Sequence, residues 1–217
     1  MNRKRKMITL IAMLILTAIG FHLFNMLKGS VLSTYNVRRK IDITTNIQID
    51  FYGAVIPTTL SLFIILYLVK FREVSLKRYL HYFLISIVLA IIFSRTNDTA
   101  VVTYYILFDL SISFLVFLVT FYQGTLLEFV KFHDLHRLEF TRRNYVNALL
   151  TAFSYAPLSV LIVDLLYAPI SVTMYIGAMG LTDGIMLSAL FAPLGTTFVT
   201  LFVMFIHELY TRHEIFN

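Results

Sequence analysis

The chain contains no cysteine and no tryptophan, and only 14% of its 217 residues are charged. Without cysteine there is no disulfide, no thiolate metal ligand and no cysteine nucleophile. Without tryptophan, the 13 tyrosines are left to take its usual place at a membrane interface. Also missing are an internal repeat, a Pro/Ser-rich linker and a low-complexity tract, so 1–217 reads as a single domain. No phosphate loop, haem-type histidine pair or Ser/His/Asp order is present, and no cofactor is expected.

What fills the chain is apolar. Hydrophobic residues make up 59% of it, and the mean hydropathy is +0.80. A soluble domain of that balance would expose large apolar patches and aggregate. The apolar runs are long and lack the period-two alternation of barrel strands. Lipid offers no hydrogen bonds to a backbone, so these runs are expected to be α-helices. The expected fold is an all-α polytopic transmembrane bundle with the lipid bilayer as its first partner. The formal net charge of +6 sits in short clusters at the ends of apolar runs, which suits anionic headgroups and argues against nucleic acid.

Seven spans are expected: Met7–Leu27, Phe51–Phe71, Leu76–Ser94, Thr99–Tyr122, Asn147–Ala168, Ile170–Leu187 and Ser188–Tyr210, with six as the alternative because Pro193 and several glycines interrupt the last stretch. The first run follows the basic cluster Arg3–Lys6 and lacks a small-residue cleavage site, so it reads as a retained helix. Segment 28–50, with Arg38, Arg39 and Lys40, is an outer loop, and 123–146 is an inner amphipathic loop or helix. Under this topology 12 Lys and Arg lie on one side and 6 on the other, which places the N-terminus in the cytoplasm and the protein in the cell membrane. His133, Asp134 and His136 in the inner loop have no third ligand at a fixed spacing, so no metal site is expected.

Function is sought at the acids inside the apolar runs, because a carboxylate at bilayer depth needs to be neutralised, paired or wetted. At about 1.5 Å of rise per residue, Asp109 would lie about 15 Å below the start of its helix near Thr99, close to the midplane. Asp183, about 20 Å below a turn at Pro169, could face it. Asp164 would sit only about 7 to 8 Å from the outer surface, where water or Tyr167 can satisfy it. Two carboxyl groups at one depth share a proton and can serve as an acid/base dyad, with Asp109 and Asp183 as its catalytic pair. Thr182 and Tyr105 are buried polar candidates beside them. Gly177, Gly180 and Gly184 allow close helix packing.

The segment Gly177–Gly184 resembles the Gly-x-Gly-Asp signature of presenilin-type and prepilin-peptidase-type intramembrane aspartyl proteases, and Phe108-Asp109 is similar to their Tyr-Asp. Thr182 stands where that group has glycine, and Ala192-Pro193-Leu194 differs from its Pro-Ala-Leu. A resemblance over more of the chain runs through Phe51–Pro57 with Leu60 and Ser61, Val163–Leu166, Ile176–Gly180 and Asp183–Ser188. Their order and spacing resemble an uncharacterised family of multi-pass membrane proteins of archaea and bacteria, known only as a domain of unknown function. That resemblance implies the fold and points to Asp164 and Asp183 as the family's two intramembrane acids, with no activity attached. Helices interrupted by Pro and Gly, together with carboxylates at depth, lean toward proton- or cation-coupled transport or permeation, in a chain small enough to need a homo-oligomer. The alternatives are the aspartyl protease and a non-catalytic subunit or assembly factor of a larger membrane complex. Whether the chain is an enzyme stays open at this point.

Overall fold

A computed structural model of the protein describes residues 40–43, 47–72, 74–96, 101–122, 138–167, 174–177 and 184–215. Strands β1 (Lys40–Asp42) and β2 (Ile47–Asp50) lead into a π-helical turn, Phe51–Val55, that continues as α1 (Ile56–Phe71). Helix α2 (Leu76–Ile92) follows, then the hairpin β3 (Ser94–Thr96) and β4 (Val101–Thr103), and then α3 (Tyr105–Phe121). Helix α4 (Arg142–Tyr167), strand β5 (Met174–Ile176) and helix α5 (Gly184–Ile215) complete the described chain.

The described structure is mostly helical, but the all-α expectation is corrected by two small sheets. In one, β2 lies between β1, antiparallel, and β5, parallel. In the other, β3 and β4 pair antiparallel. Ile41, Ile47 and Ile49, and Val101, Val102 and Thr103, are β-branched and favour extended backbone where a helix has not yet begun. Segment 28–50, expected as a loop, therefore carries two strands. The fourth expected span loses its first residues to β4 and begins at Tyr105 rather than Thr99.

Seven spans are not supported. Among the described residues three helices are long and apolar enough to cross a membrane: Phe51–Phe71, Arg142–Tyr167 and Gly184–Glu208. Ile106–Phe121 is apolar but shorter. Met7–Leu27 lies outside the described residues. In place of separate spans Ile170–Leu187 and Ser188–Tyr210, β5 is followed by one helix that runs through the expected boundary and through Pro193. The hydroxyls of Ser188, Thr196, Thr197 and Thr200 each donate to the carbonyl four residues earlier, which helps hold the α5 backbone on both sides of the proline. Of the expected inner loop, 123–137 lies outside the described residues. Leu138 bridges back to Tyr122, and α4 starts at Arg142, five residues ahead of the expected Asn147.

Helix α4 is the hub, packing against α1, α2, α3 and α5. In its most apolar window 61% is buried, against 28% for the windows in Phe51–Phe71 and α5. Pairs of contacts give the directions. Tyr79 with Ser154 and Ser86 with Ser159 ascend together, so α2 runs parallel to α4. Ser61 meets the Phe153 carbonyl and Arg143 meets the Arg72 carbonyl, so α1 runs antiparallel. All five strands therefore gather at the C-terminal end of α4. Lys70, Arg72, Lys77, Arg78, Arg142 and Arg143 gather at the opposite end.

Buried hydroxyls are set within a mainly apolar core, and the outer faces of the helices are apolar as well. On α1, Ser61 is fully buried while Phe63 is 64% exposed; on α3, Ser113 is buried while Ile106, Leu107 and Leu110 face outward. Hydroxyls supply the contacts between helices: Tyr79 to Ser154, Tyr155 to the Tyr79 carbonyl, Ser86 to Ser159 and Tyr145 to Thr197. Pro157 has no N–H to give the Phe153 carbonyl, and Ser61 Oγ on α1 donates to that oxygen at 3.2 Å. Each such bond contributes on average about 0.6 kcal/mol in a membrane bundle, so the seam adds up through number.

Candidate functional site

Three acids within or beside the apolar helices are buried: Asp50 at 3% exposure, Asp109 at 5% and Asp164 at 7%. Asp183, Thr182 and Gly180 lie outside the described residues, so the expected Asp109–Asp183 pair has only one described member. Tyr105 opens α3 one turn before Asp109. Gly184 is the first residue of α5.

Asp109 does not lie where the sequence places it along its helix. Because α3 starts at Tyr105, the carboxylate is four residues in, about 6 Å from the helix end rather than 15 Å. It occupies the inner face of α3 with Ser113, one turn on. Ser113 Oγ donates to the Asp109 carbonyl and, at 3.1 Å, to the Ala192 carbonyl of α5. Gly195 on α5 lies against this pair so closely that a Cβ built there would overlap Ser113 Oγ. The glycine thus lets α3 and α5 touch at the segment where Pro193 interrupts the α5 hydrogen-bond ladder. Asp109 Oδ1 itself is buried and has no hydrogen-bond partner. An unpartnered buried acceptor costs about 1–3 kcal/mol, and more when charged, so this oxygen stores free energy that a proton or cation can release.

The close approach is open to a direct check. Gly195→Ala is expected to destabilise the protein by about 1–2 kcal/mol through overpacking, and adding Ser113→Ala should recover most of that loss. The remaining neighbour, Ser113 Cβ at 3.4 Å, is an ordinary contact. Melting curves of the four proteins of the cycle in detergent decide it. Strictly additive losses would show that the two residues do not touch.

Asp50 and Asp164 belong to the strand end. Eleven residues separate Ser61 from Asp50 on the α1 side and Phe153 from Asp164 on the α4 side, so the antiparallel pair brings both acids to about the same height. Asp164 lies three residues from the end of α4, near the surface as its sequence position suggests, yet it is packed away from solvent rather than wetted there. Asp50 caps the π-helical turn that leads into α1: Oδ1 accepts from Tyr52 N at 2.9 Å and Gly53 N at 2.7 Å. Next to it Gly177, at φ 73°, sits against Gly53 and Ala54.

Asp50 and Gln48 are the site residues that the sequence reading passed over. The signal was present in Gln48-Ile-Asp-Phe-Tyr-Gly53, an aspartate immediately ahead of an apolar run, which is a helix N-cap pattern. Among the described residues no three His, Asp or Glu side chains gather to hold a metal ion. These features define a helical bundle with buried carboxylates and hydroxyls set in a mainly apolar core. No protein-family model, curated protein or solved structure matches the chain.

Proposed function

We propose that the chain is a multi-pass integral membrane protein, of the uncharacterised family that its motifs resemble, and that it carries protons or small cations by way of Asp109. The reading rests on one observation: a buried carboxylate whose Oδ1 has no partner, placed on the inner face of α3 beside the Pro193–Gly195 interruption of α5. A carboxylate inside a membrane bundle, next to a helix whose backbone hydrogen bonding a proline interrupts, is an arrangement suited to coupling sites.

The bilayer as solvent accounts for the inverted surface, because exposed Leu, Ile and Phe on α1, α2, α3 and α5 are stable against acyl chains and not against water. Helices α2 and α3, 17 residues each, reach about 25 Å and run alongside the three longer helices, so five crossings alternate in direction. The basic end faces the cytoplasm under the positive-inside rule, and the strand end faces outward. If Met7–Leu27 is a further crossing, Arg3–Lys6 fall on the basic side and the N-terminus is cytoplasmic.

Reconstitution tests the reading. Liposomes holding the purified chain are expected to dissipate an imposed pH, Na⁺ or K⁺ gradient faster than protein-free liposomes, as read by a trapped pH or ion-sensitive dye. Identical decay of all three gradients with and without protein would remove the permeation reading.

A further inference from the structure

We infer that the face of β2 that carries Gln48 and Asp50, just before the π-helical turn into α1, binds a small monovalent cation between these two residues. In a strand, residues two apart point to the same face, here with Cα atoms about 6.6 Å apart. Gln48 and Asp50 each present an acceptor oxygen on that face, Oε1 and Oδ2, that is buried and has no hydrogen-bond partner. Neither oxygen has a donor within hydrogen-bond reach. Both are satisfied at once by a positively charged ligand that takes oxygen donors.

The charge balance selects a monovalent ion. Asp50 Oδ1 is already committed to the N–H groups of Tyr52 and Gly53, which leaves Oδ2 as the oxygen without a partner. The N-terminus of α1 contributes roughly +0.5 of a charge, so the carboxylate and the helix end together amount to about −0.5. That balance holds a single positive charge and is poor for two. Gln48 supplies a neutral oxygen dipole, which completes coordination without adding charge. The side chain is also held rigid: Asp50 is 3% exposed, and its strand is clamped by β1 on one edge and β5 on the other, where Gln48 pairs with Asp42 and Tyr175 in register. The site stands apart from Asp109, which lies on α3 and faces α5, and does not depend on it.

The test is thermal unfolding of the full chain in detergent, followed by circular dichroism, with NaCl or KCl titrated against choline chloride at constant ionic strength. One of the two metal ions is expected to raise the melting temperature saturably, by about 5 °C at a hundredfold excess over its Kd. Asp50→Asn keeps a capping side chain, so it should fold and lose the response. Gln48→Glu adds a second negative charge and should shift the preference toward Ca²⁺ or Mg²⁺. Because Lys40 is the register partner of Asp50, Lys40→Gln is run alongside. A metal response equal to choline in the native chain overturns the inference, as does a response that exists only in Lys40→Gln or one that survives intact in Asp50→Asn.

Discussion

Gly177→Ala is expected to cost about 3 kcal/mol or more of stability, among the largest losses available from one methyl group in this chain. Two terms add. The residue sits at φ 73°, in the left-handed region that a side chain disfavours by roughly 1–2 kcal/mol. A Cβ there would also lie 2.9 Å from the Ala54 nitrogen, 2.9 Å from Ala54 Cβ and 3.0 Å from the Gly53 carbonyl carbon. Two of those neighbours are backbone of the turn that Asp50 caps, so no rotamer change relieves them, and overpacking of this kind adds about 1–3 kcal/mol. The strain would pass directly into the β2–β5 pairing, because Ile176 is the register partner of Ile49. Denaturant titration in mixed micelles measures it. A midpoint unchanged from the native chain would mean that β5 does not pack on the α1 turn.

Asp109→Asn is expected to abolish gradient dissipation in proteoliposomes while leaving the melting temperature within a few degrees of the native chain. Oδ1 has no hydrogen bond to lose, and the amide matches the carboxylate in shape, so packing between α3 and α5 survives. The amide cannot exchange a proton and carries no charge to hold a cation, so the step that needs the carboxylate stops. Asp109→Glu, which keeps the charge, should retain part of the activity. Undiminished flux in Asp109→Asn would return the residue to a packing role.

The broad features of this fold were legible because they follow from sums over many residues. Apolar runs and basic clusters at their ends sufficed to expect helices, and the helical core around α4 has that character. What was not legible depends on local geometry. Thr99 looks like a helix start because the residues after it are apolar, but Val101-Val102-Thr103 is β-branched and pairs as a hairpin with Ser94–Thr96, which delays α3 and moves Asp109 about 9 Å along its helix. Pro193 looks like a boundary between spans, but hydroxyls at Ser188, Thr196 and Thr197 bond their own preceding turns and α5 runs on. Asp50 was overlooked for a different reason. It stands at the very start of an apolar run, where an acid ordinarily meets water, and the strand that pairs with β2 there, β5, lies far away in sequence.

Ion passage by way of Asp109 requires that ions reach this buried carboxylate while lipid covers the apolar outer faces of the helices. Asp109 and Leu110 make the sharpest comparison, since Asp109 is 5% exposed and Leu110 is 44% exposed on the same helix turn. A chain with no cysteine of its own allows Asp109→Cys and Leu110→Cys to be labelled without background. In membrane vesicles, a small water-soluble cationic thiol reagent is expected to modify Asp109→Cys and to leave Leu110→Cys untouched, although the second position is the more exposed. Rapid labelling of Leu110→Cys with none of Asp109→Cys would mean that water lies outside the bundle and does not reach its interior, and would contradict both the membrane placement and the role of Asp109.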